Sequence, residues 1–181
     1  GTKNTHNTTS GLDKDYATAW SYEVGETMTL LIPNIKGGES SPIGNDESVL
    51  KNVEPEKREA VSNMYRYFGD MQFTAGPVYA GAIIVFLFVL GLFIVEGPLK
   101  WALAFSTLLA IWLSWGHHDP FGFSNFMLDH FPMYNKFRAV VTILVIALFT
   151  IPLVAVLGID HLMKQKNFLK ENILLPFKQS L

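Results

Sequence analysis

The sequence of 181 residues contains no cysteine, and this absence excludes several kinds of chemistry at once. Without cysteine there is no disulfide framework, no thiolate nucleophile and no thiolate metal site. The chain also lacks a strong charge of either sign, because its formal net charge is −2 at pH 7. A nucleic-acid-binding protein should show a basic face, so we expect no nucleic-acid partner.

Common catalytic motifs are missing as well. The sequence has no G-x-S-x-G serine elbow, no Walker loop, no G-x-G-x-x-G nucleotide loop and no H-E-x-x-H zinc motif. Any function must therefore be argued from the arrangement of segments and from single residues.

Apolar residues make up 49% of the chain, and they are collected in blocks. Residues 1–74 are polar and mildly acidic, whereas residues 76–95, 98–115 and 139–159 are almost unbroken apolar stretches. Each stretch has about the twenty residues that a membrane-spanning helix needs. The fold class predicted is an all-α polytopic membrane protein with about three transmembrane helices, a polar outer N-terminal region and interfacial helices.

The orientation follows from the short flanks. Four lysines come after the third stretch, at positions 164, 166, 170 and 178. Under the positive-inside rule they place residues 161–181 in the cytoplasm, and alternation then places residues 1–75 and the loop 116–138 on the outer face. The first residue is not methionine and the last stretch, "ILLPFKQSL", starts an apolar run, so we expect a piece of a larger membrane protein.

Local patterns predict some smaller elements. Apolar residues recur at three and four positions near residues 55–68, which predicts an amphipathic helix that lies on the membrane surface or packs on a soluble core. The segment "TMTLLIP" (27–33) is compatible with a short strand or a buried loop, and residues 124–132 predict a short helix capped by Ser124.

The loop 116–138 carries an unusual number of ionisable groups. Lys136 and Arg138 lie where the loop re-enters the membrane, at the depth of lipid phosphates, where they either bind such phosphates or simply anchor the span. His117, His118 and Asp119 are competent ligands for a divalent metal. Adjacent side chains usually diverge, however, so a polar turn is the favoured interpretation and no metal or other cofactor is assigned.

Acid–base chemistry would need a positioned carboxylate. Five acidic residues of the predicted outer regions qualify by location, and their spacing does not single one out: Glu23, Glu26, Asp70, Asp119 and Asp129.

Three blocks together, "ATAWSYEVGETMTLLIPNIKGG" (17–38), "YFGDMQFTAGPVYAGAIIVFLFVLGLFIVEGPLKW" (67–101) and "FPMYNKFRAVVTILVIALFTIPL" (131–153), resemble the YfhO family of bacterial membrane proteins, most closely its Bacteroidetes members. The likeness covers most of the chain and keeps the block order. Full members are several times longer.

The resemblance implies a polytopic glycosyltransferase of the C type, which takes sugar from a polyprenyl-phosphate donor on the outer face. Lys136 and Arg138 would then neutralise the donor phosphate. Tyr134 and Asn135 would shape the pocket, and the further pocket candidates are His117, His118, Asp119 and Asp70. The catalytic base of such enzymes lies in a first outer loop, which we expect to precede this chain.

The function predicted is thus part of a membrane glycosyltransferase-like protein that uses a lipid-linked sugar and an outer-face acceptor. The alternative is a non-enzymatic accessory subunit that docks a membrane-protein partner through its outer region. A transporter is disfavoured because the three apolar stretches contain no buried charge of the kind that marks an ion path.

Overall fold

A computed structural model of the protein describes residues 12–71, 78–136 and 139–169, with the side chains of residues 166–169 left aside. These residues form helices, turns and loops and contain no β-strand, only an isolated antiparallel bridge between Pro42 and Tyr65. The expectation of a helical fold is therefore confirmed for the described part of the chain.

The α-helices differ greatly in length, and the longest three are the apolar ones. In chain order they are α1 (Lys14–Ala17), α2 (Glu47–Leu50), α3 (Arg58–Ser62), α4 (Ala82–Ile94), α5 (Leu99–Ser114), α6 (Phe123–His130) and α7 (Leu144–Leu169). Short 3₁₀ turns join them at Val24–Leu30, Ile43–Asn45, Pro55–Lys57, Gly116–His118, Tyr134–Lys136 and Val140–Ile143.

The chain divides into two compact units. The first unit comprises Gly1–Tyr79 and Ile111–Leu144, and the second comprises Ala80–Ala110 and Val145–Leu181. The first unit therefore contains almost every polar group that the sequence singles out, and the second contains most of the apolar helical residues.

Backbone hydrogen bonds hold distant segments of the first unit together. The N–H of Tyr22 donates to the carbonyl of Ser114 at 2.8 Å, and the N–H of Val141 donates to Trp20 at 3.2 Å. Its interior is partly polar, because Glu26 and Thr29 are completely buried beside Tyr22. Buried polar groups need hydrogen-bond partners in defined positions, so this interior permits fewer arrangements of its side chains than an apolar core does.

The second unit is built on a close crossing of α4 with α7. A Cβ atom placed on Gly91 would lie 2.6 Å from the carbonyl oxygen of Val154, and one on Gly158 would lie 2.9 Å from the Cα atom of Gly91. Glycine at both positions lets the two helix backbones approach. Nearby, the hydroxyls of Thr107 and Thr150 lie 2.6 Å apart and form a hydrogen bond between α5 and α7.

Among the described residues, one helical stretch is long and apolar enough to cross a membrane, Val140–Gln165. Ala82–Ile94 and Leu99–Ser114 are apolar but shorter. The second predicted span, 98–115, agrees with α5 to within one residue at each end, and the third continues as α7 to Leu169, beyond the predicted end at 159.

The first predicted span, 76–95, is longer than the helix found there. Residues 78–81 are not helical, and the described helix begins at Ala82. Gly81, directly before this helix, has φ +104°, which is outside the helical region. The backbone N–H and carbonyl of Val78 are hydrogen-bonded to the hydroxyls of Tyr22 and Thr29, which hold this segment in its non-helical path. Tertiary hydrogen bonds therefore override an apolar sequence that favours a longer helix.

The smaller elements also differ from expectation. The predicted helix near 55–68 is a 3₁₀ turn, Pro55–Lys57, followed by the five-residue α3, and Met64 and Phe68 lie beyond its end with exposed side chains. The segment 24–30 is a 3₁₀ helix. The helix α6 begins after Gly122, so Ser124 lies inside it rather than at its cap.

The helix crossing gives a direct stability test. Gly91→Leu forces the α4 and α7 backbones apart, and we expect it to destabilise the protein by about 1–3 kcal/mol or more, as overpacking of a close contact does. The apparent melting temperature of the detergent-solubilised protein measures this. Ala82→Leu, on the same helix but exposed, is the matched control and should leave it unchanged; equal melting temperatures for the two variants contradict the packing assigned to Gly91.

Candidate functional site

A buried carboxyl group, that of Glu26, organises the first unit. Its Oε1 accepts a hydrogen bond from the Tyr67 hydroxyl, and its Oε2 accepts one from the N–H of Glu23 at 3.0 Å. The Tyr67 oxygen in turn accepts from the N–H of Met71 at 3.1 Å. Burial, and then the hydrogen bond to Glu26, raise the pKa of Tyr67 above its ordinary value, so this phenol stays protonated.

Tyr22 and Thr29 complete what we call the polar core, the set Tyr22, Glu26, Thr29 and Tyr67. The Thr29 hydroxyl lies 2.7 Å from the carbonyl of Glu26 and 3.0 Å from that of Val78, so its proton is committed to a carbonyl. Tyr22 therefore donates to Thr29 across 3.4 Å and accepts from the N–H of Val78. The polar core thus fixes residues 22–29, 67–71 and Val78 relative to one another.

The turn after α5 is held against the same region. Gly116 has φ +48°, a left-handed conformation that favours glycine, and a Cβ there would lie 1.9 Å from the Ser21 hydroxyl oxygen. The indole N–H of Trp115 donates to the Thr27 hydroxyl at 2.8 Å. The ring Nδ1 of His117 lies 2.9 Å from the carbonyl of Thr18. These contacts set the positions of both histidines that follow Gly116.

Asp70, His117 and His118, which we call the histidine cluster, come together at this point. One potential metal-ligating atom from each lies within 4.8 Å of the others, and His118 Nε2 is 3.5 Å from Asp70 Oδ2. The imidazole rings have centroids 3.9 Å apart. Burial, and then the neighbouring charge of His117, lower the pKa of His118, which favours its neutral, electron-donating form.

Asp119, the third residue of the "HHD" run, points elsewhere. Its Oδ2 accepts from the N–H of Ser124 at 2.7 Å, at the start of α6, and its Oδ1 accepts from the indole of Trp112 at 3.0 Å. Burial alone would raise the pKa of Asp119, but the hydrogen bonds from Ser124 and Trp112 outweigh it and lower that pKa. Asp119 is therefore a structural residue that holds the first turn of α6.

The other carboxylates considered from sequence are also engaged. Glu23 pairs with Lys36 at 2.7 Å, and Asp129 pairs with Lys14 at 2.7 Å. Asp70 differs from these two carboxylates. Its side chain is 69% exposed, and among the described residues it pairs with a histidine, His118, rather than with a lysine.

Tyr134 borders a mostly apolar cavity of about 270 Å³, the tyrosine pocket, lined by Tyr134, Ala139, Val140, Thr142 and Ile143. The phenolic oxygen is buried and has no hydrogen-bond partner within the described residues. Burial raises the pKa of Tyr134, so the group remains a hydrogen-bond donor.

The other loop residues predicted to bind the donor, Asn135, Lys136 and Arg138, follow Tyr134 in the sequence. Lys136 is exposed and ends the 3₁₀ turn Tyr134–Lys136. The carbonyl of Asn135 accepts from the N–H of Leu12 at 2.9 Å, so this residue ties two segments together. Arg138 lies outside the described residues. The assignment of Lys136 and Arg138 to a donor phosphate stays a prediction.

Comparisons of the chain with protein-family models, curated proteins and solved structures return no match. The resemblance to the YfhO family therefore stays a prediction that depends on the quoted sequence blocks.

Sequence reasoning did not identify the polar core. The sequence places Glu26 among the outward carboxylates, and this is wrong, because the structure buries it completely. The spacing "EVGE" (23–26), with Glu26 accepting from the backbone N–H of Glu23, is a capping arrangement that was available as a local indication. The sequence contains no comparable indication that Tyr67 is the partner of Glu26, because the two residues lie 41 positions apart in the chain.

The polar core can be tested with one hydroxyl. Tyr67→Phe removes a donor from buried Glu26 and leaves the Met71 amide unpaired, so we expect a loss of about 1–3 kcal/mol of stability. Chemical denaturation followed by tryptophan fluorescence measures the loss.

Tyr65→Phe is the matched control, since the Tyr65 side chain is mostly exposed. It should change stability by less than about 0.5 kcal/mol. A Tyr67→Phe protein as stable as this control would show that the Tyr67–Glu26 hydrogen bond does not organise the unit.

Proposed function

We propose that the chain is part of an integral bacterial inner-membrane protein of the YfhO type, with three spans formed around α4, α5 and α7. Residues 1–75 and 116–138 lie on its outer face in this proposal, and residues 161–181 lie in the cytoplasm. The proposal assigns it a glycosyltransferase-like activity with a polyprenyl-phosphate sugar donor.

The exposed apolar side chains of α4, α5 and α7 support the membrane part of the proposal. Large apolar side chains project from each helix without cover, among them Phe93 of α4, Phe105 of α5 and Phe149 of α7. Only 39% of the most apolar window of Val140–Gln165 is buried. A helix from the core of a soluble protein is mostly buried, whereas lipid accepts such a surface.

The shorter helices need some accommodation. α4 has 13 residues and α5 has 16, which correspond to about 20 and 24 Å at 1.5 Å per residue. The hydrocarbon core is about 30 Å thick, so a thinned bilayer or snorkelling flanks must make up the difference. Lys100 lies 5.4 Å from the centroid of the Trp101 ring, an arrangement suited to the interface.

The tyrosine pocket is the observation that carries the donor assignment. Its lining is apolar except for a few polar atoms, and the buried Tyr134 hydroxyl has no partner in the described residues. A polyprenyl phosphate has matching parts: an apolar chain for the cavity and phosphate oxygens to accept from the hydroxyl. Exposed Lys136, two residues along the chain, supplies positive charge.

In this reaction the bond between the sugar's anomeric carbon and the phosphate oxygen breaks as the acceptor hydroxyl attacks. Negative charge then grows on the departing polyprenyl phosphate. Lys136 and Arg138 would stabilise that charge in the transition state, and Tyr134 would donate a hydrogen bond to it. A carboxylate base for the acceptor is expected from residues outside this chain, so no catalytic base is assigned.

The second candidate function is an accessory subunit that docks a protein partner. The observation in its favour is a group of uncovered apolar side chains after α3, namely Met64, Tyr65 and Phe68. Exposed aromatic and methionine side chains are common at protein interfaces. A stoichiometric partner recovered with the protein, with no lipid-linked sugar consumed, would favour this candidate.

The donor assignment is tested by Tyr134→Phe and Lys136→Ala in the full-length protein. Each removes one charge-assisted contact to phosphate, worth about 1.5–3 kcal/mol, so we expect polyprenyl-phosphate binding to weaken by roughly tenfold or more. Isothermal titration with a short-chain polyprenyl phosphate in detergent measures the affinity, and a sugar-transfer assay measures the consequence.

Tyr79→Phe serves as the control, since Tyr79 is half-exposed and lies outside the pocket lining. It should bind the lipid phosphate as the unmodified protein does. Unchanged binding and transfer in the Tyr134→Phe, Lys136→Ala double variant would refute the assignment.

A further inference from the structure

We propose that the histidine cluster, Asp70, His117 and His118, binds a divalent transition-metal ion of the zinc type. The proposal goes beyond the glycosyltransferase-like function and does not depend on it.

The spacing of the donor atoms is close to what a metal ion needs. Two ligand atoms at zinc distances and a tetrahedral angle lie about 3.4 Å apart. His118 Nε2 and Asp70 Oδ2 are already 3.5 Å apart, and all three candidate ligand atoms lie within 4.8 Å of one another. The widest gap therefore has to close by about 1.4 Å, which a change of side-chain torsion at the exposed Asp70 or His117 provides.

The orientation of His117 is set by a second interaction. A carbonyl oxygen only accepts hydrogen bonds, so the contact of His117 Nδ1 with Thr18 requires a proton on Nδ1. In the neutral ring this leaves the lone pair on Nε2. Metal-binding histidines are usually held in this way, with one ring nitrogen donating to a carbonyl and the other free to bind the ion.

His118 supplies the least expected observation. Its Nε2 is buried, and among the residues that the structure describes it has no hydrogen-bond partner, because the 3.5 Å contact with Asp70 Oδ2 is an ion-pair distance without a hydrogen bond. A buried polar atom without a partner is costly unless something unseen satisfies it. A cation shared with Asp70 and His117 would satisfy that nitrogen and the facing carboxylate together.

The types of ligand also indicate which ion the histidine cluster would bind. Two imidazoles with one carboxylate select a borderline transition metal over Ca²⁺ or Mg²⁺, which prefer oxygen ligands alone. Three protein ligands leave a fourth position for water.

The proximity of adjacent His117 and His118 was not expected, because neighbouring side chains usually diverge. The tight 3₁₀ turn Gly116–His118, with its left-handed glycine, brings the rings together, while Asp119 turns away to α6. The ligand set is therefore not the "HHD" run of the sequence. Its carboxylate comes from the segment that Tyr67 holds in place.

The experiment uses the full-length protein, purified in detergent without a polyhistidine tag and stripped with a chelator. Zn²⁺ uptake is measured by competition with a chromophoric chelator, and Co²⁺ by its visible absorption. We expect one tight ion per chain, and affinity lowered by about tenfold or more in Asp70→Asn, His117→Gln and His118→Gln, by analogy with the 10–100-fold cost of losing even an indirect metal contact.

Two matched controls lie outside the cluster. His130→Gln and Asp129→Asn replace the same residue types on α6, and both should bind Zn²⁺ like the unmodified protein. Asp70→Asn is the decisive variant, since this exposed side chain can change without disturbing the fold. Failure of the unmodified protein to bind a stoichiometric ion, or unchanged affinity in folded Asp70→Asn protein, would overturn the proposal. Neither measurement involves a lipid donor, so the outcome is separate from that of the proposed function.

Discussion

The first unit depends on the burial of one carboxyl group, that of Glu26, and on the donors that this burial requires. A buried acidic group without partners would cost several kcal/mol, so the chain around it must bring hydrogen-bond donors inward. Tyr67 and the backbone N–H of Glu23 are those donors. By holding Tyr67, the Glu26 carboxyl also sets the position of Asp70, three residues along the chain.

The opposite side of the histidine cluster is fixed by the backbone rather than by charge. Tyr22 belongs to the polar core and is hydrogen-bonded to Ser114 at the end of α5, and the turn that follows delivers His117 against Thr18. One buried network therefore governs both sides of the cluster.

The sequence predicted the helices that depend on local apolar stretches, and it did not predict the features that depend on tertiary contacts. α5 and the helical stretch that begins at Val140 follow from apolar stretches of helical length, although the first turn of that stretch is 3₁₀ and α7 itself begins at Leu144. The start of the first span did not follow, because the Val78 backbone is hydrogen-bonded to Thr29 and Tyr22, which lie 49 and 56 positions away in the chain. Likewise the loop histidines were recognisable as a group, but the approach of Asp70 is a tertiary event that no spacing reveals.

The proposed topology places residues 1–75 and 116–138 outside the cell and residues 161–181 in the cytoplasm, with the membrane between them. Because the chain has no cysteine, single cysteines at Asn52, Asn125 and Lys164 report their own exposure. With an impermeant thiol reagent on intact cells, we expect labelling at Asn52 and Asn125, and labelling at Lys164 only after the membrane is breached. Equal labelling at all three positions in intact cells, or labelling at Lys164 alone, would contradict it.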